Sequence, residues 1–218
     1  MFSRIAPYYD LMNRLISLSL DQRWRQEMAM QAPASGLVLD LAAGTGDSTT
    51  ALLKAKEKVR AIALDFCGEM LERARPKLAN FEGRAALVQG DALELPFASS
   101  SFEGAISAFA MRNLSDLKAA LREILRVLKP GGIFVCLEIF SPPAPFRPIF
   151  NLYFGRLVPL LGGLVAHDPE AYRYLPQSVA HFVTPAEFAH LMEEVGFNRV
   201  EFRRLFPGAA VLHRGFKP

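Results

Sequence analysis

The sequence has little of what marks extracellular, metal-dependent or nucleic-acid-binding proteins. Its 218 residues include only two cysteines, Cys67 and Cys136, whose spacing matches neither a metal site nor a disulfide scaffold. We therefore expect a reduced, intracellular protein with no metal centre. The formal net charge is only +3. This is too little to indicate nucleic-acid binding by itself, but it would favour transient contact with an anionic membrane surface.

Long uninterrupted hydrophobic runs are also missing. The beginning of the chain has no apolar core of the signal-peptide kind. The most apolar late run, residues 157–166, is broken by Pro159, Gly162 and Gly163 and falls short of the ~18 residues that a spanning helix needs. We expect no transmembrane helix, and a cytoplasmic location that includes the inner face of the cell membrane.

Composition and length predict one globular domain over residues 1–218, since 51% of the residues are hydrophobic and 22% are charged. Within it, residues 1–31 have an amphipathic helical pattern that Pro7 and the Ser17–Ser19 stretch divide into pieces. Residues 140–182 form an apolar insertion. The sequence does not fix the oligomeric state, and a homo-oligomer is compatible with it.

The rest of the chain is organised around residues 37–47, LVLDLAAGTGD. The apolar run 37–41 predicts a buried strand, and a helical pattern begins at Ser48. A strand, a glycine turn and a helix N-terminus allow a ligand to approach the backbone, which makes Gly44 and Gly46 candidate cofactor-binding residues. Asp40 is a carboxylate within the apolar strand, so it needs a fixed partner from the protein or from a ligand.

The glycine turn lacks one element of a dinucleotide-binding motif. A Gly-x-Gly-x-x-Gly pattern would need a third glycine, which the run 42–47 does not have. This argues against NAD and favours S-adenosylmethionine (SAM), whose adenosine and amino-acid parts need no pyrophosphate cradle. An ordinary strand-to-helix turn remains the alternative.

Strands and helices alternate after this turn. A second apolar run, residues 59–64, ends at Asp65, where an acidic side chain can accept both hydroxyl protons of a ribose. A third strand, residues 85–89, precedes Asp91 and Ala92, which are candidates to contact an adenine amino group, although a solvated turn aspartate is the simpler interpretation.

The second half of the chain predicts the remaining sheet. A strand over 104–109, a helix capped by Ser115 and stopped by the Pro130-Gly131-Gly132 turn, and a strand over 133–137 continue the alternation. Two final runs separated by Pro207-Gly208 predict a β-hairpin. The expected fold is therefore an α/β, doubly wound parallel sheet with an antiparallel edge.

The insertion has many prolines interleaved with aromatic residues. It is too apolar for a linker, and its prolines predict a long irregular segment without regular elements. We interpret residues 140–182 as a lid over the site that accepts an apolar substrate. An additional core patch beside the sheet is the alternative.

Several motifs together resemble the UbiE/MenG family, the C-methyltransferases of ubiquinone and menaquinone biosynthesis. The resemblance spans essentially the whole chain and is carried by residues 2–6, YDLMN at 9–13, DLAAGTGD at 40–47, RN at 112–113, RVLKPGG at 126–132, YRYL at 172–175 and LHRG at 212–215. It implies a class I SAM-dependent methyltransferase fold with seven strands. It also implies a reduced, prenylated quinol as acceptor, with demethylmenaquinol favoured, because a quinone ring is too electron-poor to attack a methyl group.

The resemblance implies roles for individual residues. Thr45, together with Asp65, Asp91 and Ala92, would bind SAM, while Tyr9, Arg112 and Asn113 would surround the quinol, Arg112 stabilising a phenolate. Two departures weaken the match: Ala108 stands where relatives often carry serine, and Ser141 is shifted from the family position. Glu138, His167 and His181 are alternative candidate bases, whereas His190 is expected on a helix face.

Three rival functions remain compatible with the sequence. The protein could methylate another small aromatic or lipid-like metabolite, or it could be a nucleotide-binding module of the dehydrogenase type. It could also be a non-catalytic scaffold of a quinone-synthesis complex.

Overall fold

The structure of the protein is a computed structural model that describes residues 6–165 and 169–218. The strands are β1 (Ser35–Leu41), β2 (Lys58–Asp65), β3 (Ala85–Gln89), β4 (Phe102–Ala108), β5 (Leu128–Ile139), β6 (Asn198–Arg204) and β7 (Ala210–Phe216). The described helices are α1 (Tyr9–Ser17), α2 (Leu20–Gln31), α3 (Asp47–Ala55), α4 (Gly68–Leu78), α5 (Leu117–Val127), α6 (Arg147–Leu152), α7 (Val158–Val165), α8 (Pro169–His181) and α9 (Pro185–Val195).

The strands form one seven-stranded sheet in the order β3-β2-β1-β4-β5-β7-β6. The first five strands are parallel, and β7 pairs antiparallel with both β5 and β6. This confirms the predicted doubly wound sheet with an antiparallel edge. The strand order reverses between β1 and β4, so a crevice for ligands is expected beyond the carboxyl ends of these two strands.

The core lies on both faces of the sheet. On one face, α2 and α3 bury Met28, Leu52 and Leu53 against the strands, and on the other, α5 and α9 bury Leu121 and Phe188. The apolar periodicity of these helices therefore marks the faces that the sheet covers.

Several local predictions need correction. The cap of α5 is Asp116, whose carboxylate accepts the amide N–H of Ala119 at 2.9 Å, and not Ser115. The helix ends at Val127, and β5 begins at Leu128, before the Pro130-Gly131-Gly132 turn rather than after it. The turn lies within the strand as an irregularity in its pairing with β4. Pro76, expected to kink α4 or end it early, is accommodated within the helix, which continues to Leu78.

The prediction of an irregular segment over residues 140–182 was wrong. Most of it is helical: α6, a π-helical turn (Tyr153–Leu157), α7 and α8. Pro148 occupies the second position of α6, where the amide N–H has no acceptor within the helix, so proline costs little there. Pro159 follows the π-helical turn in a helical run that continues from α6 into α7, and Pro176 lies inside α8. The prolines therefore do not prevent helix formation in this segment.

The described residues 6–31 of the N-terminal segment are mostly helical, with a break at the predicted Ser17–Ser19 stretch. Leu18 and Ser19 have left-handed backbone conformations (φ 52° and 62°) between α1 and α2. This turn joins the two helices, which contact each other, and the second of them packs on a face of the sheet. Residues 2–5 of the opening motif lie outside the described residues.

Candidate active site

The glycine turn connects β1 to α3 and packs against α4 at the carboxyl edge of the sheet. Gly44 and Gly46 have positive φ values of 56° and 81°. A Cβ placed on Gly46 would lie 3.0 Å from the Cβ of Ala74 in α4, so this glycine is required for close helix packing. Among the described residues, a Cβ on Gly44 would meet Tyr9 alone, at 4.0 Å. The backbone at Gly44 is therefore the part of the turn that is open to a ligand.

Asp65, at the end of β2, holds the glycine turn in place. Its Oδ2 accepts the amide N–H of Gly44 at 2.7 Å, and its Oδ1 accepts that of Cys67 at 2.8 Å. Burial raises the pKa of Asp65, and these backbone donors partly offset that rise. Each carboxylate oxygen can accept a second hydrogen bond, so the predicted grip on ribose hydroxyls fits this geometry.

Asp40 is fully buried within β1, as the sequence predicted for a carboxylate with a fixed partner. Its Oδ2 accepts the Thr49 hydroxyl at 2.5 Å, while Oδ1 has no hydrogen-bond partner. Burial raises its pKa to about 7, against the lowering effects of Thr49 and Arg25. A buried acceptor without a partner beside the glycine turn is an available contact for the donor groups of a cofactor.

Thr45 has a protein partner for its hydroxyl. The Oγ1 donates to Asp10 of α1 at 2.6 Å, and Lys77 of α4 donates to both Asp10 and Asp47 at 2.5 Å. This network ties α1, the glycine turn and the first turn of α3 to one another. The predicted role of Thr45 in SAM binding thus rests on its backbone or on the remaining hydroxyl lone pair.

Asp91 and Ala92 follow β3 in a short turn, in which Asp91 Oδ1 accepts the amide N–H of Leu93 at 2.8 Å. Asp91 is exposed, and Ala92 is buried. One carboxylate oxygen of Asp91 is occupied by the turn, which leaves the other for an adenine amino group. The predicted contacts of Asp91 and Ala92 with adenine stay predictions.

A cavity of about 400 Å³ lies next to this edge, between α1, α2 and the helices of the insertion. Most of its lining is apolar or aromatic, including Trp24, Phe109, Ile139, Phe150 and Tyr174. Tyr9 belongs to the lining and also lies 4.0 Å from the Cβ position of Gly44, so the cavity adjoins the glycine turn. The cavity has a size typical of small-molecule sites.

The structure brings together the three residues predicted to surround the acceptor. Tyr9, Arg112 and Asn113 all line the cavity. Arg112 and Asn113 lie in a 3₁₀ turn directly after β4, and Tyr9 opens α1. Their predicted roles as catalytic residues stay predictions.

Arg112 already has a counterion within the protein. Its guanidinium donates to Glu138 at 2.5 Å and to the backbone oxygen of Phe109 at 2.6 Å, and its Nε donates to Ser178 at 3.3 Å. Glu138 is fully buried at the end of β5 and also accepts the amide N–H of Ile139 at 2.8 Å. As a candidate base, Glu138 is thus engaged by the protein, and the charge of Arg112 is compensated.

Two asparagines in the cavity wall have buried polar atoms without hydrogen-bond partners. They are Nδ2 of Asn13, a donor, and Oδ1 of Asn113, an acceptor. Leaving such atoms buried and unpaired costs about 1–3 kcal/mol each, which a polar group of a bound ligand would recover. A ligand with hydroxyl groups in an otherwise apolar body suits this wall.

The other candidates lie elsewhere. His181 is exposed on α8, where its Nδ1 contacts the Gln177 carbonyl, and His190 is exposed on α9 beside Glu193 and Glu194, as predicted for a helix-face histidine. His167 lies outside the described residues. Neither Ala108 nor Ser141 is among the lining residues of the cavity.

Sequence reasoning missed a buried charged pair beside the cavity. Asp21 and Arg25, both on α2, are buried, with Asp21 Oδ2 3.9 Å from Arg25 Nε. Arg25 also donates to Ser48 and lies 5.0 Å from the Phe109 ring centroid. Their burial is not visible in the sequence, so only the spacing of four residues between an aspartate and an arginine in a helical segment could have indicated the pair.

The described residues contain neither a membrane-spanning helix nor a metal-binding cluster. Among residues 6–165 and 169–218, none of the helices combines the length and apolar character needed to cross a bilayer. The same residues hold no group of three or more histidine, cysteine or acidic side chains that could bind a metal ion.

Comparison with known proteins identifies related sequences over the whole chain. The profile of the ubiE/COQ5 methyltransferase family matches residues 1–217. A protein of Roseiflexus sp. (strain RS-1) named demethylmenaquinone methyltransferase is 43% identical, over 100% of this chain and 92% of its own length. A protein of Syntrophotalea carbinolica named ubiquinone/menaquinone biosynthesis C-methyltransferase UbiE is 40% identical, over 99% of this chain and 92% of its own length.

A solved structure supports the fold. The structure of a SAM-dependent methyltransferase from Thermotoga maritima, titled a possible histamine N-methyltransferase, superimposes with a TM-score of 0.73. It covers 100% of this chain and 98% of that chain at 19% identity, so the likeness concerns the class I SAM methyltransferase fold alone. The open backbone at Gly44 and the unpartnered Oδ1 of Asp40 fit SAM as the cofactor.

Proposed function

Because the chain belongs to the ubiE/COQ5 methyltransferase family, we propose that it transfers the methyl group of SAM to a ring carbon of a prenylated quinol, in the conversion of demethylmenaquinol to menaquinol. The observation that carries this proposal is the apolar cavity beside the glycine turn, with a hydrogen-bond donor and an acceptor left unpartnered in its wall. An aromatic ring with hydroxyl groups matches both features.

SAM supplies an activated methyl group on a positively charged sulfur, so the protein needs chiefly to orient the acceptor and to exclude water. Tyr9 lies between the glycine turn and the cavity and would mark the point where methyl donor and ring meet. Asn13 and Asn113 would fix the ring by its hydroxyl groups. The aromatic lining removes water from the ring faces and strengthens these hydrogen bonds.

The prenyl tail needs a way out of a cavity of about 400 Å³. Phe146 and Ile149 line the cavity and are also 58% and 69% exposed, so its wall continues onto an apolar outer surface of α6. Residues 139–167 include Arg147 and Arg156 but no acidic residue. We propose that this surface rests on an anionic membrane, from which the quinol enters with its tail still in the lipid.

Vesicle binding tests the membrane contact. We expect the protein to cosediment with vesicles that contain phosphatidylglycerol, and the double variant Phe146→Ser/Ile149→Ser to lose most of this binding. Met30→Ser is the matched control, because Met30 is 62% exposed and does not line the cavity. Equal binding of all three proteins would contradict the proposed surface.

The reaction is tested by mass spectrometry of quinones after incubation with labelled SAM. Demethylmenaquinol should gain one labelled methyl group on carbon, and the oxidised quinone should gain none. Reduced benzoquinols and tail-free naphthoquinols, assayed in parallel, identify the preferred ring and the role of the tail. Methylation of a tail-free soluble acceptor alone would favour a different metabolite and refute the quinol proposal.

The role of Arg112 is tested with two variants, one of which also removes the charge of its counterion Glu138. Arg112→Ala is expected to abolish methylation while SAM affinity stays near that of the wild type. Since that variant leaves Glu138 buried without its cation, Arg112→Met/Glu138→Gln serves as the charge-neutral companion. Full turnover in either protein would remove Arg112 from the mechanism.

A further inference from the structure

Asp21 is a buried carboxylate in the wall of the cavity. Its relative exposure is 3%, and among the described residues that line the cavity it is the one acidic side chain. The proposed reaction must release a proton, and Glu138, the other buried acid near the cavity, is already engaged by Arg112 and by backbone amides. Asp21 has fewer donors around it.

The partners of Asp21 leave part of its carboxylate open. Oδ1 accepts the Ser17 hydroxyl at 2.9 Å, while Oδ2 lies 3.9 Å from Arg25 Nε, too far for a hydrogen bond. Arg25 Nε is itself a buried donor without a partner. The positive charge of Arg25 offsets the cost of burying the Asp21 carboxylate, but Arg25 forms no hydrogen bond to Oδ2. Oδ2 therefore remains available to accept a hydrogen bond from a ligand.

Asp21 also continues a polar stripe. Tyr9, Asn13 and Ser17 follow one another at intervals of four residues on α1, which places them on one face of that helix, and all three line the cavity. Through Ser17, this face leads to Asp21 on α2. The unpartnered donor Nδ2 of Asn13 and the carboxylate of Asp21 therefore lie along the same side of the cavity.

We propose that Asp21 is a catalytic residue, the proton acceptor for an acceptor hydroxyl during methyl transfer. This inference rests on the proposed function, in that it takes a ring hydroxyl to be present. It requires the hydroxyl to donate to Asp21 Oδ2 while Asn13 holds its oxygen.

Methyl transfer to the ring carbon is coupled to proton transfer from the hydroxyl to Asp21. A ring π pair forms the new carbon–carbon bond to the methyl group, and the carbon–sulfur bond breaks with its electrons going to sulfur, which becomes a neutral thioether. The hydroxyl O–H pair forms a C=O bond, and its proton passes to Asp21. The ring carbon then loses its hydrogen as a proton to water, the ring regains aromaticity, and the oxygen takes its proton back from Asp21. One proton is released overall.

The timing of the proton transfer makes a carboxylate sufficient for this role. A neutral hydroxyl is a weak acid before the transfer, but its acidity rises steeply as the ring donates its electrons to the methyl group. A carboxylate in contact with it would then take the proton in the transition state, where general-base catalysis contributes about 10²–10⁴-fold. Arg112, which is paired with Glu138 in the cavity wall, then positions the acceptor and does not stabilise a preformed phenolate.

The experiment compares Asp21→Asn with the wild type on demethylmenaquinol and on naphthols of graded hydroxyl acidity. Wild-type turnover first establishes the proposed function on its own. We expect Asp21→Asn to lower kcat by about 10²-fold or more on weakly acidic acceptors, and by much less on acceptors that are already ionised. The SAM Kd, measured by calorimetry, should stay within a factor of about two, since the variant keeps an acceptor for Ser17.

Two further variants keep the test decisive. Asp21→Glu retains the charge opposite Arg25, so it should fold and bind SAM even if Asp21→Asn does not, yet lose about tenfold or more in kcat through misplacement of the carboxylate. Glu27→Gln, which removes a half-buried acid of the same helix that pairs with Arg203, is the matched control and should behave as the wild type. The proposal is overturned if wild-type turnover persists in both Asp21 variants, or if their deficit is the same for every acceptor.

Discussion

Alanine substitutions at three glycines with positive φ can distinguish the effects of backbone strain, helix packing and obstruction of the ligand site. Within the described part of the chain, nothing lies within 4 Å of the Cβ position of Gly83 (φ 74°). The Cβ position of Gly46 (φ 81°) faces Ala74 at 3.0 Å, and that of Gly44 (φ 56°) meets Tyr9 alone, at 4.0 Å. Alanine at each position introduces the same unfavourable backbone conformation. The three variants therefore differ only in what the added methyl group meets.

The magnitudes follow from these contacts. The left-handed conformation costs an alanine about 1–2 kcal/mol, and the stiffer unfolded chain returns about 0.4–1 kcal/mol. Gly83→Ala should therefore lower the free energy of unfolding by about 1 kcal/mol. Gly46→Ala adds overpacking against α4, typically about 1–3 kcal/mol. Gly44→Ala should match Gly83→Ala in stability, while its methyl group occupies the backbone surface proposed for SAM.

Urea unfolding and calorimetric titration with SAM check both parts. A difference of about 2 kcal/mol between Gly46→Ala and Gly83→Ala corresponds to roughly 4–8 °C in Tm for a chain of this size. We expect SAM affinity to fall at least about tenfold in Gly44→Ala and to be unchanged in Gly83→Ala. Equal stability of the Gly46 and Gly83 variants would refute the packing argument, and unchanged affinity in Gly44→Ala would refute the assignment of the SAM site.

Other predictions concern buried charges. Burial raises the pKa of Asp40 from 3.8 to about 7, so the folded state binds more protons than the unfolded state between these values. Asp40 therefore lowers stability as pH rises through that window, by roughly 4 kcal/mol in total, and urea unfolding of Asp40→Asn at several pH values should show this slope removed. Burial lowers the pKa of His213 from 6.5 to about 4, so its contribution has the opposite sign: stability is lost as pH falls from about 6.5 to 4, and replacing His213 with phenylalanine should abolish that loss. Glu138→Gln leaves Arg112 buried without a counterion and should cost about 3–5 kcal/mol, whereas the double variant Arg112→Met/Glu138→Gln should recover most of it; equal stability of the two would contradict the pairing.

The parallel part of the fold could be predicted because its signals are local. Each buried strand is a short apolar run that ends at a recognisable residue, such as Asp65 after β2. The Thr184 capping box and Gly196 likewise mark both ends of α9 by local residue types alone. Such features depend on residues within one or two turns of each other, so one sequence suffices to identify them.

The insertion and the charge pairing of the site depend on distant contacts. Prolines in residues 140–182 were interpreted as helix breakers, although at the first positions of a helix they are compatible with it. Arg112 and Glu138 lie 26 residues apart and meet only because β4 and β5 are neighbours in the sheet. Sequence alone suggested a free cation and a free base, and the fold pairs them with each other.

This pairing bears on the form in which an acceptor enters the cavity. The cation Arg112 is compensated by Glu138, and Arg25 faces Asp21, so the described lining offers an anionic ligand little uncompensated positive charge. It does offer a neutral hydroxyl an unpartnered donor on Asn13 and an unpartnered acceptor on Asn113. Bringing a preformed phenolate into such an apolar space would cost its hydration without a free cation in return. The arrangement therefore favours entry as the neutral quinol and removal of its proton only during methyl transfer, which is the step for which Asp21 is placed.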